Sequence, residues 1–112
     1  VIHGDGSQSR DFTYIDNVLL ANELALAVDS EDAFNQVYNV ACGNSEQLVD
    51  ITKYLIEKIN PEVQIEFGPS RQGDIKDSLA DISKISKHLN YKPKVTVFEG
   101  LDITIDWFLS KN

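Results

Sequence analysis

The sequence contains no methionine, one cysteine, one tryptophan and three prolines in 112 residues. Because a single cysteine cannot form an internal disulfide, the chain does not resemble a disulfide-stapled secreted domain. No apolar run approaches the ~20 residues that a membrane-spanning helix needs, and no signal peptide is visible. These absences predict a soluble, cytoplasmic protein with no membrane partner.

Basic residues are also scarce, since 10 lysines and arginines stand against 18 aspartates and glutamates, for a net charge of -8. The field of such a chain repels polyphosphate, so nucleic acid is not an expected partner and any anion site must be local. Hydrophobic residues make up 42% of the chain, which suits one domain over residues 1–112. Because the chain starts at Val1, already in a predicted strand, we expect it to be part of a longer protein.

The pattern of apolar residues predicts a small mixed α/β fold. Strands are expected at residues 1–3, 11–14, 36–40 and 63–67, where apolar and β-branched residues cluster or alternate. Helices are expected at residues 16–29, at 48–59, after 81 and after 96. No repeat or linker divides the chain, so a single domain is predicted.

Several residues predict where these helices begin and end. Asp81 is expected to cap the third helix, and Asn90 suits the left-handed residue that terminates it. Thr96 and Glu99 form a T-x-x-E capping box at the start of the last helix. Trp107, in that helix, is expected in a core or an interface.

Only two arginines occur, Arg10 and Arg71, and each lies in a short polar loop near glycines. We call them the arginine pair. A guanidinium group binds two phosphate oxygens at once, so the arginine pair suits an oriented diphosphate. The alternative is that both are surface residues paired with neighbouring aspartates, an arrangement that contributes little to stability.

Residues for catalysis are few. His88 lies among lysines and is expected on a solvated helix face, and Cys42 is expected to fill core space. His3, at a strand end, either stacks on a base or is a half-buried edge residue. No metal-binding loop, dinucleotide fingerprint or P-loop is present, so binding is favoured over catalysis.

Four segments together resemble the C-terminal region of extended short-chain dehydrogenase/reductases that act on nucleotide sugars. They are the run from Gly4 to Val18, Tyr38-Asn39-Val40, Arg71-Gln72-Gly73-Asp74 and Ala80-Asp81-Ile82-Ser83-Lys84. The segment Glu99-Gly100-Leu101, followed by Trp107, completes the family's order. The nearest likeness is to UDP-N-acetylglucosamine 4-epimerases, relatives of UDP-glucose 4-epimerase.

The resemblance implies a UDP-sugar site. By match, Arg10 and Arg71 would hold the diphosphate, and Asp74 would accept a hydrogen bond from a ribose hydroxyl. Val1 and His3 would contact uracil, although the family often has another aromatic residue where His3 stands. Ser78 occupies a position that is bulky in enzymes confined to glucose and galactose, so a serine there implies room for an N-acetyl group.

The resemblance also implies what lies outside this chain. The family binds NAD with a glycine-rich loop and reacts through a Tyr-x-x-x-Lys pair, both in an N-terminal Rossmann domain. This chain does not contain that domain, so it is expected to be catalytically inactive by itself, to pack on that domain, and to belong to a homodimeric enzyme. Alternatives are the same domain of a nucleotide-sugar 4,6-dehydratase, decarboxylase or reductase, and a stand-alone nucleotide-binding module.

Overall fold

The computed structural model describes residues 1–111 and is a small mixed α/β unit, as predicted. Its helices are α1 (Ile15–Ala27), α2 (Leu48–Ile59), α3 (Ser83–Leu89) and α4 (Val97–Leu109). Its strands are β1 (Ile2–His3), β2 (Ser9–Arg10), β3 (Glu46–Gln47), β4 (Phe67–Gly68) and β5 (Asp77–Ser78). A 3₁₀ turn covers Glu31–Ala33.

The strands form two small sheets that bring the start of the chain to its middle. β1 pairs in parallel with β4, so that His3 lies opposite Gly68. β2 is the central strand of the second sheet, antiparallel to β3 and parallel to β5. Because both parallel pairings join the first ten residues to the segment 67–78, the loops after β1 and β4 lie side by side.

The predicted helix boundaries are largely confirmed. The carboxylate of Asp81 accepts a hydrogen bond of 2.8 Å from the Ser83 amide at the start of α3. Asn90 terminates α3 in the left-handed region, with φ of 53°. At the start of α4, Thr96 and Glu99 form the predicted capping box in both directions. These ends depend on local hydrogen bonds, which is why sequence spacing predicts them.

Three strand predictions are wrong in part or whole. Residues 11–14 are irregular. The Asp11 carboxylate accepts hydrogen bonds from the amides of Cys42 and Gly43, at 2.9 and 2.8 Å, and these bonds direct the backbone away from the sheet that contains β2. Residues 36–40 are extended but form no ladder with any other part of the described chain. Of the strand predicted at 63–67, only its last residue, Phe67, is paired.

The main core lies between α1 and α3. Its buried members are the side chains of Ala21, Ala33, Ile85, Leu89 and Tyr91. The Tyr91 hydroxyl donates to the Ala41 carbonyl at 2.9 Å, and burial, followed by the nearby Cys42 and Asp11, raises the pKa of this phenol. A second contact joins α2 to α4, where the rings of Tyr54 and Phe98 meet edge to face with centroids 4.8 Å apart.

Asn17 connects α1 to the segment before α4 from a fully buried position. Its side-chain oxygen accepts from the amides of Lys94 and Val95, at 2.9 and 3.1 Å, and its nitrogen donates to the Val95 carbonyl at 2.7 Å. The same nitrogen lies 3.5 Å from the sulfur of Cys42. Cys42 is therefore a half-buried packing residue, close to the predicted role.

The molecule is a thin slab, with extents of 53 × 37 × 16 Å and a radius of gyration of 17.0 Å. A compact domain of this length has a radius of gyration of about 13 Å. Within residues 1–111, nine hydrophobic side chains are buried and sixteen large ones are exposed. Trp107 is one of the exposed residues, so it is not a core residue of this chain. No helix of the described residues is long and apolar enough to cross a bilayer.

Candidate functional site

A cleft of about 290 Å³ lies between the loop that follows β1 and the loop that follows β4. We call it the interloop cleft. The first loop and its neighbours contribute His3, Gly4, Asp5, Ser7 and Gln8, and the second contributes Ser70, Arg71, Asp74, Ile75 and Lys76. Three of the six residues expected to bind substrate therefore line one cleft.

Backbone hydrogen bonds hold the two walls of the interloop cleft together. The amide of Gly4 donates to the Gly68 carbonyl at 3.0 Å, and the amide of Ser9 donates to the Lys76 carbonyl at 2.8 Å. Gly6 makes the turn of the first wall in the left-handed region, and a Cβ there would lie 2.8 Å from the Cβ of Val49. Glycine is required at this position because both the backbone angle and the close approach exclude a side chain.

The arginine pair is divided between two environments. The guanidinium of Arg10 donates to the Asp74 carboxylate at 2.9 Å, in a pair whose side chains are 32% and 39% exposed. The Arg71 side chain is exposed on the cleft wall, and no hydrogen bond or ion pair holds it within residues 1–111. Arg10 thus adopts the alternative arrangement, pairing with an aspartate, whereas Arg71 is available to an incoming anion.

Of the other predicted site residues, one lies in the cleft and two lie outside it. The His3 ring is half-buried in the cleft, with Nδ1 3.3 Å from the Pro69 carbonyl. Val1 is 80% exposed and does not line the cleft. Its Cγ1 packs towards Gly68, where a Cβ would lie 3.2 Å away. Ser78 is exposed in β5, directly opposite Arg10.

The structure adds residues that the sequence reasoning missed. Lys76 brings a second cation to the cleft wall, and Gln8 braces the first wall by donating to the His3 carbonyl at 2.9 Å. Asp11, the residue after Arg10, fixes the backbone beside Arg10 because its carboxylate accepts from the amides of Cys42 and Gly43. The only feature of the sequence that could have indicated Lys76 was a charged residue in a loop with glycine and serine, and this feature is a weak indication of a binding residue.

The acidic wall of the cleft is ionised at neutral pH. Hydrogen bonds from Ser7, through its side chain and then its backbone, lower the pKa of Asp5. This carboxylate opposes anion binding, so the cations of Arg71 and Lys76 must outweigh it locally. The cleft therefore suits a ligand that combines phosphate oxygens with hydroxyl donors.

Two other features are set apart from this site. His88 is half-buried beside Tyr38 and lies 3.0 Å from the Asp32 carbonyl, so the prediction of a solvated His88 is wrong. A larger cavity of about 460 Å³ lies beside Phe12 and Cys42, with mainly apolar walls that do not suit a polyanion. In the described part of the chain no three His, Cys, Asp or Glu side chains are grouped to hold a metal ion.

Comparison with known proteins identifies the family. The family profile described as GDP-mannose 4,6 dehydratase matches residues 1–104. The chain belongs to this family. The resemblance to extended short-chain dehydrogenase/reductases that act on nucleotide sugars is thereby confirmed. Its relatives carry the names of UDP-sugar epimerases, dehydratases and decarboxylases.

Individual members of the family share both sequence and fold with the chain. A UDP-glucuronate 4-epimerase of Thermodesulfobacterium geofontis is 34% identical over 110 residues, covering 95% of this chain and 32% of that protein. The UDP-N-acetylglucosamine 4-epimerase of Methanobrevibacter ruminantium, solved with UDP-N-acetylmuramic acid, is 36% identical with a TM-score of 0.85. The match covers 99% of this chain and 34% of that one.

A third family member was solved with its cofactor. The UDP-glucuronic acid 4-epimerase of Bacillus cereus, in complex with UDP-glucuronic acid and NAD, is 32% identical with a TM-score of 0.87, over 99% of this chain and 35% of that one. The chain thus spans about a third of the length of the relatives that it matches.

Proposed function

We propose that this chain is the UDP-sugar-binding part of an NAD-dependent UDP-N-acetylglucosamine/UDP-glucose 4-epimerase. Arg71 and Arg10 bind the diphosphate, and Asp74 accepts a hydrogen bond from a ribose hydroxyl. Val1 and His3 contact uracil, and Ser78 leaves room for the N-acetyl group. The complete enzyme is expected to be cytoplasmic and homodimeric.

One observation carries this proposal. The pairing of β1 with β4 and of β2 with β5 brings His3 and Arg10 to Arg71 and Asp74, more than sixty positions away in the chain. A planar ring, a guanidinium group and a carboxylate line one cleft, and the second guanidinium, that of Arg10, is paired with this carboxylate. Together these groups suit the base, diphosphate and ribose of a nucleotide. The epimerase relatives solved with UDP-sugars support the same ligand class.

The proposed reaction explains why the residues that bind UDP, which we call the anchor, are separate from those that react with the sugar. NAD, held by polypeptide outside this chain, supplies reversible hydride transfer at C4 of the sugar. For C4 to invert, the hexose must turn while the nucleotide stays in place. Binding energy from the diphosphate and ribose then positions a sugar that has few contacts of its own.

The slab shape supports a larger enzyme over a stand-alone module. Ile15, Leu19 and Leu26 form an apolar stripe along one face of α1, with exposed fractions of 56%, 51% and 89%. An unpartnered stripe of this kind marks an interface. We assign it to the NAD-binding Rossmann domain of the same polypeptide, because the family relatives are about three times as long as this chain.

Calorimetric titration of the complete enzyme with UDP tests the anchor. Arg71→Ala and Arg10→Ala should each weaken binding by about 1.5–3 kcal/mol, roughly 10- to 150-fold, because each removes charge-assisted hydrogen bonds. Arg71→Lys should restore only part of the affinity, since an ammonium lacks the planar fork. Lys87→Ala, which removes a cation from α3 outside the cleft, is the control for net charge.

Unchanged UDP affinity in Arg71→Ala and Arg10→Ala would contradict the proposal. The second candidate function, a 4,6-dehydratase or decarboxylase, is favoured by relatives with those names. It uses the same anchor, so UDP binding does not separate the two. Product analysis of the complete enzyme does, because an epimerase returns a C4 epimer whereas the other two remove water or carbon dioxide.

A further inference from the structure

The Arg10 guanidinium is already occupied by oxygen atoms of the protein. Nη2 donates to the Asp74 carboxylate at 2.9 Å, and Nη1 donates to the carbonyls of Ser9 and Lys76 at 2.7 and 3.2 Å. A carboxylate at this distance occupies the position that a phosphate oxygen would take. The binding site therefore contains an internal anion at one of its two arginines.

The two roles of Asp74 exclude one another. While its Oδ1 accepts from Arg10, that guanidinium cannot present its full fork to a diphosphate. If a phosphate displaces the carboxylate, Asp74 is left as an unpaired charge unless the ligand offers it a donor. A ribose hydroxyl is such a donor and is uncharged, whereas any proton on inorganic pyrophosphate belongs to a multiply charged anion that repels the carboxylate.

The loop that carries Asp74 is held at its ends, where the carbonyls of Pro69 and Lys76 contact His3 and Ser9, but has few contacts between them. Every residue from Pro69 to Ser78 is exposed. Within the loop, the amide of Asp74 donates to the Arg71 carbonyl at 3.3 Å, a long bond. Open space surrounds the Cα of Gly73, the residue before Asp74. A change of partner by Asp74 thus requires no repacking of the core.

We propose that Asp74 is a specificity-determining residue that competes with phosphate for Arg10 and so selects nucleotides over inorganic pyrophosphate. This inference rests on the proposed UDP-sugar site. When a nucleoside diphosphate binds, its phosphate replaces Asp74 as the acceptor for Arg10, and its ribose hydroxyl donates to Asp74. Pyrophosphate must break the Arg10–Asp74 pair and brings the freed carboxylate no uncharged donor, so it binds more weakly than its charge would suggest.

The test is calorimetric titration of the complete enzyme with two probes, pyrophosphate and UDP. Asp74→Asn should bind pyrophosphate about two- to fivefold more tightly than the unaltered enzyme, the range expected for releasing an exposed ion pair. Asparagine keeps a neutral acceptor for the ribose hydroxyl, so the preference of this variant for UDP over pyrophosphate should fall mainly through tighter pyrophosphate binding, by about two- to fivefold. Asp74→Ala, which has no acceptor for Arg10 or for the ribose, should bind pyrophosphate more tightly and UDP more weakly.

Asp77→Asn is the matched control. Asp77 is also exposed, and its carboxylate accepts from the Ser9 hydroxyl at 2.8 Å, a hydrogen bond that asparagine can retain. The substitution removes one negative charge near Arg10 without removing an ion pair. Its effect on pyrophosphate affinity should be smaller than that of Asp74→Asn.

The outcomes separate this inference from the proposed function. If the unaltered enzyme binds UDP but Asp74→Asn binds pyrophosphate no more tightly than Asp77→Asn, the competition is refuted and the UDP site stands. If Asp74→Asn keeps the full preference for UDP, Asp74 does not select nucleotides. If the unaltered enzyme binds no UDP, both the proposed function and this inference fail.

Discussion

Ser78 lies directly opposite Arg10 in the parallel pairing of β2 with β5. Neighbouring strands are about 4.8 Å apart, and side chains in register point to the same face of the sheet. The proposed sugar-pocket residue is therefore adjacent to the proposed diphosphate residue. The sugar of a UDP-sugar is bonded to its diphosphate, so the proposed roles of Arg10 and Ser78 require these two residues to be neighbours.

A bulky residue at this position should change which sugars are accepted. Ser78→Tyr should lower kcat/KM for UDP-N-acetylglucosamine by about tenfold or more relative to UDP-glucose, because the ring occupies the space of the N-acetyl group. Steady-state assays of the complete enzyme on both substrates measure this ratio. Ser78→Ala, which removes only the hydroxyl, should leave the ratio nearly unchanged. Equal losses on both sugars in Ser78→Tyr would remove Ser78 from this role.

The capping box of α4 should contribute measurably to stability. The Glu99 amide donates to the Thr96 hydroxyl at 3.3 Å, and the Thr96 amide donates to the Glu99 carboxylate at 2.8 Å. Thr96→Ala should therefore lower the free energy of unfolding by about 1 kcal/mol. Thr104→Ala, in the exposed interior of the same helix, is the matched control, because alanine has the higher helix propensity there. Urea unfolding compares the two, and equal effects would rule out a special role for the cap.

The same box should make stability depend on acid pH. Hydrogen bonds from Thr96, backbone first and hydroxyl second, lower the pKa of Glu99 from its ordinary value of 4.5. A lowered pKa means that the folded state favours the carboxylate, so this contribution is complete above pH 4.5 and is lost as pH falls through the folded-state pKa.

Comparison of Glu99→Gln with the unaltered chain isolates this effect from those of other carboxylates. The variant should be less stable at neutral pH, and the difference should shrink steadily below pH 4.5. Thermal unfolding midpoints measured from neutral pH down to well below pH 4.5 test it. A difference that stays constant across this range would show that the Glu99 charge does not matter.

Gly100 permits α4 to approach the start of α1. A Cβ at Gly100 would lie 2.7 Å from Cβ, Cγ and Cδ2 of Tyr14. Gly100→Ala should therefore destabilise the chain by about 1–3 kcal/mol through overpacking, although alanine is favoured over glycine in an exposed helix. In a Tyr14→Gly background, which removes all three atoms, the same change should be neutral or stabilising. Urea midpoints of the four variants test this, and destabilisation that persists without Tyr14 would point to another cause.

Helices and their caps could be predicted from the sequence because the interactions that define them are local. Apolar residues spaced three or four positions apart indicate α2 without reference to any other segment: Leu48, Ile51, Leu55 and Ile59. Asn90 marks a helix end through its left-handed backbone conformation, and the T-x-x-E box marks another through bonds between residues three positions apart. Such patterns are present in the chain before it folds.

Strands were harder because a two-residue strand exists only through its partner. β2 and β5 lie in Gly/Ser-rich and Asp-rich loops whose composition disfavours strands, and they are ordered by pairing with each other. Conversely, residues 36–40 have a strand-like composition but have no partner among residues 1–111. At both places strand propensity and strand pairing disagree, and pairing determines whether a strand forms.

Three of the six expected residues line one cleft, but how they are arranged there could not be predicted. Matching loops identified His3, Arg71 and Asp74, which the fold brings to one cleft. The ion pair between Arg10 and Asp74 was not foreseen as a specific contact, since it joins residues 64 positions apart. Only the parallel pairing of β2 with β5 places them together, and that pairing has no sequence signature.

Residues 36–40 have a practical consequence for handling the chain. Val37 is 84% exposed, and residues 36–40 have no ladder partner within residues 1–111. A segment of strand-like composition with unpaired backbone groups and an exposed apolar side chain can pair with a second copy, which favours aggregation. When produced alone, the chain should self-associate through this segment, and a lysine or proline at position 37 should keep it monodisperse.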